Sequence, residues 1–460
     1  MAEAVSRETI LGTGPTPEEI YALIESKGVK FINLQFTDVL GIVKSVTIPA
    51  KIFDHVVDGG QWIDGSFIAG FTRIAESDMY LEVDLSTFAI IPWETDDYVT
   101  ARVICWVFKP NGEPFPGDPR SALYKQLQKL AEHGYLYNVG PELEFFLFEQ
   151  AEDGKITPLP HDRGGYFDLS TDLASTVRKD MVNALDAMGI EVEASHHEVA
   201  VGQHEIDFEY GPAVATGDRA QTFKYILKAM AQKHGLHATF MPKPIAGING
   251  SGMHVHQSFG FIDKALGKNA FVDESDPYGL SKIAKHFIAG QLKHARALCA
   301  VIAPIVNSYR RLVPGYEAPV YVAWARTNRS ALIRVPAIRG SNLNATRIEL
   351  RCPDPSANPY LAFTAMLAAG LDGIVNELPL EDPVEENLYH FTDEDLKRRN
   401  IPTLPATLGE ATAELAKSEV IREALGDHIF NALIEAQTAE WNEFRLQVSQ
   451  WELDRYLEIY

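Results

Sequence analysis

Residues 141–148 read PELEFFLF, a short apolar run interrupted by two glutamates. Side chains alternate along a strand, so Glu142 and Glu144 share one face while Leu143 and Phe145 share the other. Two neighbouring carboxylates on an otherwise apolar strand repel each other and lose hydration. A compensating positive charge is required, and a pair of divalent cations with a preference for oxygen ligands meets it.

Three later stretches carry what such a site would need. SHHEVAVGQHEIDFEY places Glu198 and Glu205 on either side of Gly202, so that a hairpin return would aim both at the first pair. In NGSGMHVHQS a glycine loop precedes a strand with His254, His256 and Ser258 on one face. RIELR sets Glu349 between Arg347 and Arg351 on one face, a carboxylate flanked by two guanidiniums. The donor set is then Glu142, Glu144, Glu198, Glu205, His254 and Glu349. Carboxylate-dominated sites suit Mg²⁺ or Mn²⁺ rather than zinc. Two such ions beside arginines describe phosphoryl transfer, where positioning and charge neutralisation dominate. Arg310, Arg311, Arg326, Arg329, Arg334 and Arg339 lie in the intervening segments. No G-x-x-x-x-G-K-[ST] loop is present, so ATP would be held by metals and arginines instead. A lone E-x-E is more often a solvated face, and a lone H-x-H more often two satisfied histidines. Four same-face sets of complementary chemistry in one segment outweigh that reading.

The flanks give the organisation. PEEIYALIESKG predicts a helix capped by Thr16 and stopped by Gly28. KFINLQFTD, GIVKSVTIP, MYLEVD, FAIIPW and TARVICWVF predict short strands, so the first segment is a small α+β unit. KPNGEPFPGDPRS, rich in Pro and Gly, marks its end. Beyond it, strands are expected near 134–150, 190–197, 203–210, 236–242, 252–259 and 345–352, with helices at 174–188, 218–234, 278–300 and 358–376. Residues 405–450 read as amphipathic helix. The chain has 460 residues, enough for more than one domain, and a net charge of −22, which argues against nucleic acid or an anionic membrane as main partner. Three dispersed cysteines, no signal-like start and no long apolar run point to a reduced cytoplasmic setting without a membrane span.

These motifs, together with HATFMPKP, NSYRRLVPGYEAPVYVAWARTNRS, IRVP and RIELRCPDPSANPYLAFTAMLAAGLDGI, closely resemble the class I glutamine synthetase family, α-type, from about Lys30 to the C-terminal tail. The resemblance implies an α+β fold: a lead-in and helix start over 1–25, an N-terminal β-grasp domain over 26–112, and a catalytic α/β domain over 113–460. It implies an ATP-dependent ligase that joins the γ-carboxyl of L-glutamate to ammonia or an amine through a γ-glutamyl phosphate. Two stacked hexameric rings, a dodecamer with active sites between subunits, are implied as well. By motif, Glu144, Glu198 and Glu205 would hold one metal, and Glu142, His254 and Glu349 the other. Glu193, His256, Ser258 and Arg334 match nucleotide contacts; Asn249, Gly250 and Arg311 match glutamate-binding positions. Arg329 and Arg351 match arginines on the transferring phosphoryl group, and Glu317 a flap glutamate that shields the intermediate. Asp64 matches an aspartate from the adjacent subunit that deprotonates ammonium, with Tyr166 nearby.

One position departs from the family pattern. The loop usually read D-G-S-S is Asp64-Gly65-Ser66-Phe67 here, so a phenyl group replaces a hydroxyl in the ammonium pocket. Ammonium needs polar acceptors, whereas an alkyl or aryl amine, or a polyamine, gains from an apolar wall. The related γ-glutamyl amide synthetases use such amines, so both substrates stay open. By the same resemblance, Tyr389 lacks the proline context of the adenylylated subtype, and Arg73 matches an arginine linked to glutamine feedback.

Overall fold

The computed structural model describes residues 5–66, 68, 70, 78–95, 97–150, 155–315, 318–338 and 342–460. Phe67, Arg73, Glu317 and Arg339 lie outside the described residues.

Helix Pro17–Lys27 begins where expected, because Thr16 and Glu19 form a reciprocal capping box. It ends at Gly28, whose φ of 64° is left-handed. The lead-in is more ordered than the sequence implies: Ser6 accepts a bond from the Thr9 amide and caps a turn of helix, Arg7–Leu11.

The first sheet comprises β1 (Val29–Thr37), β2 (Val43–Pro49), β3 (Gln61–Asp64), β4 (Asp78–Ile90) and β5 (Val99–Phe108), in the order β2-β1-β5-β4-β3. Only β1 and β5 run parallel. MYLEVD and FAIIPW, expected as separate pieces, are largely one strand with its register broken between Asp84 and Ala89. The intervening Asp, Ser and Thr read as a turn because they bond locally, as Ser86 does to Asp84 at 2.6 Å. Here those bonds stabilise a bulge instead. Ile32, Leu34, Leu81 and Val103 bury one face of this sheet, and Ile20 of the capped helix joins the same core.

The second sheet has ten strands among the described residues. They are β6 (Tyr135–Gln150), β7 (Ile156–Pro160), β8 (Val192–His197), β9 (Gln203–Phe208), β10 (Gly211–Pro212), β11 (Leu236–Thr239), β12 (Met253–Phe261), β13 (Tyr321–Ala325), β14 (Ala331–Arg334) and β15 (Ile348–Leu350). Their main path is β13-β14-β15-β12-β6-β9-β8, with β7, β10 and β11 also pairing to β6. PELEFFLF thus lies within the longest and most connected strand.

Helices Pro119–Glu132, Ser175–Ala187, Ala213–Lys233, Lys282–Ile302 and Pro359–Val375 are the longer ones flanking it. The third starts five residues before its expected 218, and Gly217 is accommodated because it packs against the Tyr360 ring. The fourth starts at Lys282, where the Ser281 side chain caps it, rather than at 278. The C-terminal region divides into Leu408–Leu415, Glu419–Phe444 and Gln450–Tyr456, the second kinked at Gly426. No helix among the described residues is long and apolar enough to cross a membrane.

The first sheet is joined to the helices flanking the second by buried polar contacts. Arg120 Nη2 donates to Asp84 at 2.7 Å and to Asp218 at 2.6 Å, and its guanidinium lies 3.9 Å from the Trp106 ring centre. Arg102 donates to Thr222, and the Asn358 amide to the carbonyl of Asp38.

Candidate active site

Strand register gathers the acidic residues into one transverse row. On β6, Glu144 stands opposite Glu205 of β9, and Glu142 opposite His254 of β12. Farther along, His256 faces Glu349 of β15, and Glu349 faces Arg334 of β14. On the other flank His196 of β8 faces Glu205. Since directly paired residues point to the same side, all these groups crowd one face.

Two donor sets are distinguishable. In the first, Glu198 Oε1 is 3.0 Å and Glu205 Oε2 3.6 Å from His196 Nε2. Glu144 lies alongside: its Oε2 accepts from Gln203 at 2.8 Å and from the Gly252 amide at 2.9 Å. In the second, His256 Nε2 is 2.7 Å from Glu142 Oε1, while His254 Nδ1 is 3.6 Å from Glu142 and 3.8 Å from Glu349. Arg334 Nε donates to Glu349 at 2.5 Å and Arg351 Nε at 3.1 Å. Glu349 is therefore held by two guanidiniums, but one is Arg334 rather than the expected Arg347. The side chain of Arg347 instead donates to His256 Nδ1 at 3.2 Å.

The electrostatics separate the two sets. Burial and then the charge of Glu198 push Glu144 up to about 8. Burial, with Glu144 and Asp207 nearby, drives Glu205 far above the carboxylate range. Burial also disfavours ionisation of Glu142, but His254 and His256 outweigh it and hold that carboxyl far below its usual value. Glu349 is likewise held low, its burial overcome by His256, His254, Arg351 and Arg334. Burial acts on Glu198 too, but His196 outweighs it and holds that carboxyl low. Glu144 and Glu205 are thus a buried concentration of like charge that a hard cation would relieve, and the set's oxygen donors fit Mg²⁺ or Mn²⁺. His196 with Glu198 and Glu205, and Glu142 with His256 and Glu349, offer ligand atoms close enough to share an ion.

A cavity of about 530 Å³ opens beside Glu142 and is lined by Glu193, His256 and Ser258, three of the expected nucleotide contacts. Lys268, Tyr210, Asn342 and Asn344 are also in its wall. The Gly250 carbonyl accepts from Gln203, and Arg311 is buried, donating to the carbonyls of Arg351, Cys352 and Pro353. A Cβ at Gly250 would come within 2.2 Å of the Pro242 carbonyl, so only glycine fits the loop containing Asn249. The carbonyl of exposed Arg329 accepts from Arg351. Tyr166 stacks on Phe167 with centroids 3.9 Å apart, and its ring lies 5.7 Å from that of His196. Asp64 ends β3, the edge strand of the other sheet.

Two arginines counted as available for phosphate are engaged elsewhere. Arg326 donates to the carbonyls of Pro277 and Tyr278, and Arg310 lies over the Phe444 ring. His196, Gln203 and Asp207 were not expected from the sequence. Each lies two positions from Glu198 or Glu205, so the same alternation could have flagged them.

Residues 28–110 match the family model described as glutamine synthetase, beta-Grasp domain, and residues 116–456 match glutamine synthetase, catalytic domain. The glutamine synthetase of Clostridium saccharobutylicum is 53% identical over 97% of this chain and 99% of its own. That of Thermotoga maritima is 53% identical over 96% and 100%. A solved GmaS/ADP complex, in its conformation 1, superposes with a TM-score of 0.84 at 31% identity, covering 95% of this chain and 99% of that one. An apo GmaS without ligand gives 0.82 at 32%, covering 95% and 98%.

Proposed function

Given that the chain belongs to the glutamine synthetase family and is an ATP-dependent ligase forming C–N bonds, we propose that this site phosphorylates the γ-carboxylate of L-glutamate and delivers the acyl group to ammonia. The observation that carries the reading is the transverse row, which brings two donor sets and two arginines onto one sheet face beside a nucleotide-sized cavity.

Glu144, Glu198 and Glu205 would hold one divalent ion, and Glu142, His254 and Glu349 the other; bound there, the ions neutralise phosphate charge. Glu193, His256 and Ser258 position the nucleotide from the cavity wall. Arg351 is anchored by Glu349 and by the Arg329 carbonyl, so its remaining N–H groups can be aimed without reorganisation at charge developing on the transferred phosphoryl. Arg329 is exposed and would approach the same group from outside. Asn249, Gly250 and Arg311 form the glutamate end, with the Gly250 loop kept narrow for backbone approach. Asp64 would arrive from a neighbouring subunit of a dodecamer to accept the ammonium proton, and Glu317 would close over the intermediate.

A bulkier primary amine is the second reading, favoured by Phe67 in the loop after Asp64 and by the Tyr166–Phe167 stack beside His196. Phosphate release with glutamate, ATP and Mg²⁺ should be compared for ammonium and a panel of alkyl, aryl and polyamines. If Phe67 walls the pocket, Phe67→Ser shifts preference toward ammonium by roughly tenfold, the scale of one altered apolar contact. An unchanged amine profile removes Phe67 from substrate selection.

A further inference from the structure

A second polar cluster lies directly behind Glu198. Asp162, in the loop after β7, and His197, at the end of β8, are both almost completely buried. His197 Nε2 is 2.9 Å from Asp162 Oδ1, and its Nδ1 is 2.6 Å from the Glu198 carbonyl. A carbonyl can only accept, so Nδ1 carries a proton and donates it. Asp162 also accepts from the Gly202 amide at 3.0 Å and from the Leu173 amide at 3.3 Å, tying both ends of its loop to the β8–β9 turn. In the same loop, the Phe167 amide donates to the His197 carbonyl at 3.2 Å. Gly164 lies flat on the imidazole, where a Cβ would fall 2.8 Å from Nε2.

His204 completes a buried trio whose atoms are spaced like metal ligands. Its chemistry opposes that use. Arg178 Nη1 is 3.0 Å from His204 Nδ1, and a guanidinium can only donate, so Nδ1 is the acceptor and Nε2 bears the proton. With its free nitrogen protonated, His204 cannot ligate, and the trio is a fastening rather than an ion site.

We propose that His197, clamped by Asp162, is a positioning residue that couples two parts of the active site. Through Nδ1 it fixes the turn presenting Glu198, and through Asp162 it fixes the loop presenting Tyr166. The metal-side carboxylate and the aromatic wall for the nitrogen substrate are thereby set by one imidazole. This inference rests on the roles given above to Glu198 and Tyr166.

The two arms can be cut separately, because an asparagine amide overlays the Nδ1 position of histidine and a glutamine amide overlays Nε2. His197→Gln keeps the Asp162 arm and loses the Glu198 arm. Mn²⁺ titration followed by EPR should then show affinity weakened about 10–100-fold, the usual cost of losing an outer contact to a metal ligand. His197→Asn keeps the Glu198 arm, so Mn²⁺ affinity should stay within about twofold, while KM for the nitrogen substrate rises about tenfold with kcat less affected. Asp162→Leu, which keeps the branched shape of the side chain but removes both acceptor oxygens, should follow the asparagine variant. Two histidine variants that behave alike, both unchanged or both merely lower in Tm, overturn the proposal. Absence of glutamate-dependent ATP turnover in the unsubstituted protein would instead overturn the functional reading on which it rests.

Discussion

Glu144 shows how a single carboxylate carries the demand for a cation. Its folded value of about 8 lies well above the ordinary 4.5, from burial and then Glu198. Between those values the folded chain keeps a proton that the unfolded chain has released. Stability must therefore fall as pH rises through that window. Protein stripped of metal by EDTA should lose Tm from pH 5 to pH 8, and Mn²⁺ should restore more at pH 8 than at pH 5; an equal gain at both would mean that this carboxylate does not face the ion. That Glu142 and Glu144 share a face was legible from alternation alone. That Arg334 rather than Arg347 pairs with Glu349 was not, because it depends on which strand lies beside β15 and in what register. His196 and Asp207 carried the same alternation signal, masked by the stronger acidic pairs around them. Phe67 and Glu317, read by motif, lie outside the described residues.

At the scale of elements, helix Pro359–Val375 is apolar on every side and correspondingly buried, which makes it easy to recognise as a core helix. Its close partner was not legible. Lys282–Ile302 meets it through Gly290, where a Cβ would stand 2.1 Å from the Ala369 carbonyl and 2.8 Å from the Gly373 amide. Both obstacles are backbone and cannot rotate away. Gly290→Ala should cost at least about 1–3 kcal/mol, seen as a lower urea midpoint. Gly59→Ala, with nothing within 4 Å, is the control and should hold or raise the midpoint; two equal midpoints would refute the tight crossing. Element boundaries were missed where local chemistry has two uses. The Asp, Ser and Thr of 84–87 can form a turn or a bulge, and pairing with β5 selects the bulge.

At the scale of the whole molecule, Arg120 staples the first sheet to helix Ala213–Lys233 through Asp84 and Asp218, contacts spanning 36 and 98 positions that no local pattern reveals. Burial raises the Asp84 pKa, but Arg120 and Ser86 outweigh it and leave it below 3.8. A depressed folded value gives stability that is complete above the ordinary pKa and lost as pH falls through the lower one. Asp84→Asn should cost about 1.5–3 kcal/mol at pH 7, with the gap to the unsubstituted protein closing below about pH 3.8. A gap of constant size at pH 3 would show that the charge is not what matters. The α+β architecture was readable from spacing and family resemblance, whereas the arrangement of the sheets depends on such long-range contacts.

The proposed ligase chemistry requires that glutamate's own γ-carboxylate oxygen become bonded to phosphorus. Turnover with γ-carboxyl-¹⁸O-glutamate, ATP, Mg²⁺ and the best nitrogen substrate, followed by mass spectrometry of the released phosphate, tests this directly. One ¹⁸O in each phosphate is the predicted result; unlabelled phosphate, its fourth oxygen taken from water, would contradict it.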